Sequence, residues 1–153
     1  VAPNGDLLAV FNRGPGDAAE LLLCRSSTKG RSWTAPTPIP SSANRCANGV
    51  YPGALTVLPS GEILLHWYRY GPTDARRWEY GPEYCISEDS GYTFGPPILI
   101  DTPELHESTG RRTQPEGRFP FLELEDGRWV LSLYDRTVLY DRSTGAIDEW
   151  GVK

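Results

Sequence analysis

Short apolar runs separated by turn-forming residues divide this chain. Leu7 to Phe11, Ile63 to Leu65 with Trp67, and Trp129 to Leu131 with Leu133 are near-continuous apolar stretches, each entered through a glycine turn. Val1-Ala2-Pro3-Asn4-Gly5-Asp6-Leu7-Leu8-Ala9 returns as Val57-Leu58-Pro59-Ser60-Gly61-Glu62-Ile63-Leu64-Leu65, and again as Leu124-Glu125-Asp126-Gly127-Arg128-Trp129-Val130-Leu131, so the turn glycines stand 56 and 66 residues apart. Runs of this length bounded by turn signals predict strands. Because they are apolar at successive positions and not at alternate ones, the strands are expected to be covered on both faces. Self-similarity at this spacing predicts sheets of equal size, each sandwiched between neighbours.

A second turn follows in every unit. Ser26-Ser27-Thr28-Lys29-Gly30-Arg31-Ser32-Trp33 and Ser87-Glu88-Asp89-Ser90-Gly91-Tyr92-Thr93-Phe94 share the form Ser-x-(Asp or Thr)-x-Gly-x-(Ser or Thr)-aromatic, and Asp141-Arg142-Ser143-Thr144-Gly145-Ala146-Ile147 echoes it. The pattern predicts a tight hairpin. Asp or Ser bonds the local backbone, Gly takes positive φ, and the aromatic staples the turn back onto the sheet.

These residues resemble the Asp-box, or BNR, repeat of the sialidase superfamily, Ser-x-Asp-x-Gly-x-Thr-Trp. The second copy matches it almost completely, and the first has Thr28 in place of Asp. The resemblance implies an all-β propeller in which the box joins strands 3 and 4 of a four-stranded blade and six blades close the ring. On that template the blades span approximately 1–40, 50–100 and 118–153. Strands are expected near 6–12, 20–26 and 34–39, then 50–58, 62–70, 80–87 and 96–100, then 118–124, 128–134, 137–141 and 148–152. The first blade lacks most of its strand 1. A little under three blades, in a chain without Met, reads as a fragment of a ring. Such a piece should be unstable alone, or associate with the remainder of its own propeller or with another copy, because an open ring leaves edges and faces uncovered.

Composition agrees with an all-β chain and narrows the ligand. Hydrophobic residues make up 39% of the 153, too many for disorder, and 16 Gly with 14 Pro are too many for a helical bundle. A net charge of −5 excludes the basic footprint of nucleic-acid binding and of anionic membranes, and no apolar stretch approaches a membrane helix. A small-molecule or carbohydrate ligand fits better.

The cations are not spread evenly. In a propeller the glycine turns occupy one rim and the ligand-side loops the other, here 12–20, 40–51, 69–80, 101–118 and 134–137. Nine of the 15 basic residues fall in those loops: Arg13, Arg45, Arg69, Arg76, Arg77, Arg111, Arg112, Arg118 and Arg136. Arg forks pair with carboxylates, so an acidic ligand would suit this rim. Eight residues past the turn glycine, Gly5 gives Arg13, Gly61 gives Arg69 and Gly127 gives Asp135. Arg13 and Arg69 should therefore end equivalent strands, as ligand clamps or as solvated caps.

The first unit, from Pro3 to Asp17, also resembles the first blade of bacterial sialidases, where an Arg leads into a Gly-rich loop carrying the acid/base Asp. The matching residue is Asp17, a proton donor in the resemblance or else a polar turn residue after Pro15-Gly16, with Glu20 the alternative if the register slips. A loop carboxyl can protonate a glycosidic oxygen when burial raises its pKa. Arg118-Phe119-Pro120 has the form of the family's Arg-Ile-Pro motif, which supplies one Arg of a carboxylate-binding triad, so Arg118 is either a ligand clamp or a salt-bridging edge residue. The family's Tyr nucleophile and its Glu lie in later blades; Tyr68, Tyr70 and Tyr134 are read as packing or platform aromatics.

Other chemistry finds little footing. Cys24 and Cys85 share a repeat position two residues before the box Ser, which marks a buried small residue, and with Cys46 the count is odd, so no disulfide is expected. His66 occupies the place of Val10 and Ser132 and reads as structural. No His, Cys or carboxylate cluster has metal spacing, and no cofactor is expected. Two functions stay open: a sialidase-type exo-glycosidase releasing terminal acidic sugars, and a non-catalytic BNR-repeat propeller that binds glycan or protein.

Overall fold

The computed structural model describes residues 1–14, 20–39, 50–69, 72–74, 77–78, 81–100, 121–133 and 136–150. Three antiparallel sheets account for most of them. β1 (Leu7–Arg13), β2 (Glu20–Ser26) and β3 (Thr37–Pro38) form the first; β4 (Val50–Val57), β5 (Ile63–Arg69), β8 (Gly81–Ser87) and β9 (Ile98–Leu99) form the second; β10 (Leu122–Glu123), β11 (Trp129–Leu133), β12 (Arg136–Tyr140) and β13 (Ile147–Trp150) form the third. Each runs in chain order except that a hairpin, β6 (Pro72–Asp74) with β7 (Arg77–Trp78), is inserted between β5 and β8. That hairpin falls in what the sequence reads as a plain loop at 69–80. No helix occurs among the described residues.

The long strands begin and end close to where the apolar runs place them. The outer strands are shorter: two residues at Thr37–Pro38 and at Ile98–Leu99, where five or six are expected. Proline explains the first, since Pro38 has no N–H to extend the ladder and Pro36 precedes the strand. Pro96 and Pro97 precede the other in the same way.

The second sheet is buried on both faces. Leu64, Tyr84 and Ile86 face the third sheet, where they meet Trp129, Leu131, Val138 and Tyr140. Leu65, Trp67 and Cys85 face the first sheet, where they meet Leu8, Val10, Leu21 and Leu23. Successive side chains of a strand point to opposite faces, so Leu64 and Leu65 serve different cores. This is the physical meaning of the unbroken apolar runs. Tyr84 meets Trp129 edge-to-face with ring centroids 5.0 Å apart, an arrangement worth about 0.5–1.5 kcal/mol beyond the area buried.

Three copies of one hairpin turn open the units. Gly5, Gly61 and Gly127 have φ of 88°, 88° and 82°, and their N–H groups donate to Ala2, Leu58 and Leu124 at 2.9 Å each. The carboxylate that follows the first two glycines is clamped by arginine. Asp6 accepts from Arg25 Nη1 at 2.7 Å, and that guanidinium also donates to the Ser90 carbonyl of the second sheet and lies 3.8 Å from the Tyr92 ring centre. Glu62 accepts from both terminal nitrogens of Arg142, at 3.2 Å each, across to the third sheet. The Arg25 and Arg142 hydrogen bonds hold the two carboxyls below the usual carboxylate range.

The Ser-x-Asp-x-Gly turn explains its own composition. Ser87 Oγ accepts from the backbone of Asp89 and Gly91, and Asp89 accepts from the backbone of Tyr92 and Thr93 and from both the Ser87 and Thr93 hydroxyls. Those donors, Thr93 foremost, hold the Asp89 carboxyl far below its ordinary value. In the first sheet the Thr28 hydroxyl accepts the Ser32 N–H at 2.9 Å, so a neutral group does part of the aspartate's work. The aromatic behaves differently in the two copies. Phe94 packs into the core between the first and second sheets, whereas Trp33 is 45% exposed, because among the described residues no sheet lies on that side of it.

Gly91 and Gly127 share φ +82, but an added Cβ at Gly91 would lie 2.6 Å from Leu8 Cδ1 whereas at Gly127 it would meet nothing within 4 Å. Gly127→Ala should therefore cost about 1–2 kcal/mol, the backbone term alone, and Gly91→Ala more; equal losses in denaturant unfolding would mean that the core at Leu8 yields freely. Asp89 has a lower pKa folded than unfolded, so it stabilises the fold above about pH 4 and that contribution is lost as pH falls toward the folded value. Asp89→Asn should lower the unfolding midpoint at pH 7 and flatten its fall toward pH of about 2.5. An unchanged acid slope would remove Asp89 from the account.

Candidate functional site

The glycine turns and the Ser-x-Asp turns lie at one end of the sheets, and the opposite ends carry the longer connections. At those opposite ends β1 finishes at Arg13 and β5 at Arg69. The two positions are equivalent, as the repeat alignment expects: Arg13 pairs in register with Glu20 at the start of β2, and Arg69 with Gly81 at the start of β8. Arg13 Nη2 lies 2.7 Å from Glu20 Oε2, with both side chains exposed, at 63% and 38%. Asp17 and Arg118, together with Arg45, Tyr70, Tyr134 and Cys46, lie outside the described residues.

Two buried polar side chains, His66 and Glu83, lie in the strands that run to those ends. His66, three positions before Arg69, is 1% exposed and stacks on Phe121 with ring centroids 4.1 Å apart. The neighbouring Gly53 sits at a bulge in β4 between Tyr51 and Ala54, where a Cβ would run into the His66 carbonyl oxygen. Glycine is therefore required for β4 to close on β5. Glu83, 2% exposed, accepts from the indole Nε1 of fully buried Trp67 at 2.9 Å. Asn12 stands one residue before Arg13 and, by alternation with Leu8 and Val10, on the side of β1 that meets the second sheet.

Glu83 is the residue that sequence reading passed over. A signal existed: aligning Cys85 with Cys24 sets Glu83 against Leu22, aligning Gly61 with Gly5 sets Trp67 against Phe11, and in the structure Trp67–Glu83 and Phe11–Leu22 are cross-strand pairs. An apolar pair in one repeat has become an indole and a carboxylate in the next. His66 takes the structural place expected of it. Cys24 and Cys85 are both buried. Among the described residues no three His, Cys, Asp or Glu side chains converge as metal ligands.

No family model matches this chain, and no curated protein matches it. Solved structures do resemble it in fold. A protein of unknown function from Dyadobacter fermentans DSM 18053 superposes with TM-score 0.67 at 18% identity over 97% of this chain and 51% of its own. The Hadza microbial sialidase Hz136 superposes with TM-score 0.59 at 15% identity over 93% of this chain and 31% of its own. The chain thus spans about half the length of the first structure and about a third of the second. At these identities the likeness is one of all-β fold.

An exposed ion pair such as Arg13 with Glu20 contributes less than about 1 kcal/mol. Arg13→Ala should leave the unfolding midpoint within that margin, so that any change in ligand affinity reports on binding. A larger loss of stability would make Arg13 a structural cap.

Proposed function

We propose that the chain is part of a sialidase-like β-propeller whose loop-bearing end receives the carboxylate of a terminal acidic sugar, and that the whole protein hydrolyses the glycosidic bond to that sugar. The observation that carries this reading is the pair of arginines ending equivalent strands, Arg13 and Arg69, at the end of the sheets opposite the Ser-x-Asp turns. A fold shared with a microbial sialidase supports it. Each sheet is then one BNR blade, approximately 1–40, 50–100 and 118–153, and the ring is completed by the remainder of the same propeller or by another copy. Arg13, Arg69 and Arg118 bind the substrate carboxylate, and no metal or other cofactor takes part.

In the proposed reaction Asp17 donates a proton to the oxygen of the departing aglycone as the bond to the sugar breaks. Proton donation from a positioned carboxyl is worth about 10²- to 10⁴-fold in rate. The chemistry then depends on a nucleophile and its partner supplied by other blades.

A second reading has its own observation. Arg13 is already neutralised by Glu20 at 2.7 Å, which weakens one of the two cations and favours a non-catalytic BNR-repeat propeller that binds glycan or protein. Turnover separates the two. Asp17→Asn should lower hydrolysis of an unactivated acidic glycoside by about 10²- to 10⁴-fold, and by less on an activated aryl glycoside, whose leaving group needs little protonation. Arg69→Ala should weaken binding of the acidic sugar and spare a neutral one. Equal turnover by Asp17→Asn and the parent on the unactivated substrate would remove Asp17 from the mechanism, and binding without hydrolysis by the parent would favour the second reading.

A further inference from the structure

An open cleft of about 520 Å³ lies at the turn end, between the second sheet and Arg142 of the third. It stands away from the strand ends that carry Arg13 and Arg69. Ile86, Pro96 and Ile98 give it an apolar lining, and Glu88, Asp89 and Arg142 give it charge. Ile98 pairs with Tyr84, on the face of the second sheet that meets the third, and is 45% exposed.

The junction of the first and second sheets is closed at the same end. Setting Cys24 on Cys85 aligns Arg25 with Ile86. Arg25 reaches across to the Ser90 carbonyl at 2.8 Å, and the Tyr92 ring lies 3.8 Å from its guanidinium. The third sheet brings no such cover. Ala146 follows Gly145 where Tyr92 follows Gly91, and the hairpin closes at once, with the Asp141 N–H donating to the Ala146 carbonyl at 2.9 Å. With Ile86 in the place of the guanidinium and alanine in the place of the ring, the second junction is left open and apolar.

Charge selects among occupants. Arg142 is already paired with Glu62, and Asp89 is bonded within its own turn. Glu88 is exposed and makes no hydrogen bond or ion pair among the described residues. Three carboxylates, Glu62, Glu88 and Asp89, thus stand against one guanidinium, and the cleft favours a cation.

We propose that this cleft docks a short segment of a partner protein in which an apolar side chain stands beside a lysine or arginine. The apolar group covers Ile86 and Ile98, and the cation pairs with Glu88. A cleft of this volume matches a pocket for one ligand or one or two side chains and falls well short of the roughly 800 Å² per partner of a stable protein interface, so the contact is weak and reversible.

Peptide titration of the whole protein, followed through its isoleucine methyl resonances, tests this. An N-acetylated, C-amidated Gly-Phe-Lys-Gly should shift the Ile86 and Ile98 methyls saturably and leave that of Ile39, in the other core, unmoved. Gly-Phe-Glu-Gly should bind about fivefold more weakly, and Gly-Ala-Lys-Gly about tenfold more weakly. Glu88→Lys, a change at an exposed residue, should keep the parent's unfolding midpoint and reverse the order of the lysine and glutamate peptides. Absence of saturable shifts at Ile86 and Ile98, or an order of peptides that Glu88→Lys leaves unchanged, would overturn the proposal. Butylamine binding as tightly as Gly-Phe-Lys-Gly would overturn the peptide partner in favour of a small amine.

Discussion

A β-sheet with apolar side chains on both faces has to be covered twice, and the second sheet of this protein is built under that constraint. Its central strands alternate between two cores, Leu64 and Tyr84 toward one neighbour, Leu65 and Cys85 toward the other. Neither neighbour is optional, since each removes from water a set of side chains the other cannot reach. The turns obey the same demand. Asp6 and Glu62 follow glycines at equivalent positions, and both are held by arginines whose other contacts lie on the next sheet or come from it. Apolar contact provides the bulk of the cohesion, and these charged nodes fix the rotation of one sheet against the next.

The two ends of the sheets spend their polar groups differently. At the turn end, Ser, Asp and Thr side chains are consumed within the turn: Asp89 receives four hydrogen bonds, two from backbone N–H groups and two from hydroxyls, and has little left for a ligand. Farther from that end, His66 at the middle of β5 and Glu83 near the start of β8 are buried, while the Arg13–Glu20 pair at the strand ends is exposed. A rim saturated by its own hydrogen bonds gives rigidity, and a rim with cations at strand ends gives a surface on which loops can place a ligand. Function is accordingly sought at the second.

Much of this was legible in the chain. Period-two alternation was absent from the apolar runs, and that absence foretold sheets covered twice; the glycine spacing foretold three units, and the Ser-x-Asp pattern foretold turns closed by their own side chains. Counting eight residues from Gly5 and Gly61 placed Arg13 and Arg69 at equivalent strand ends. What escaped detection depended on tertiary context. The β6–β7 hairpin has Pro72 at its start and no alternating apolar face, so nothing in its sequence separated it from a loop. Glu83 lay unremarked within an expected strand, because its exchange for Leu22 shows only when the repeats are aligned strand by strand. The exposure of Trp33 and the burial of Phe94 could not be told apart from a shared motif, because the difference lies in the neighbour and not in the turn.

That last difference has a bearing on how such chains grow and how they can be cut. Gly91 lies against Leu8, Tyr92 over Arg25, and Phe94 in the core shared with Val10 and Leu21, so the turn encoded by the second repeat is a part of the first sheet's cover. The segment that recurs in sequence is therefore out of phase with the body that packs in space. A recombination or truncation placed at the end of β3 would keep every strand of its sheet and discard the lid of its core, while one placed just after Phe94 would keep the lid at the cost of leaving the second sheet without its outer strand. Gene-level modularity and mechanical modularity have different borders in this protein.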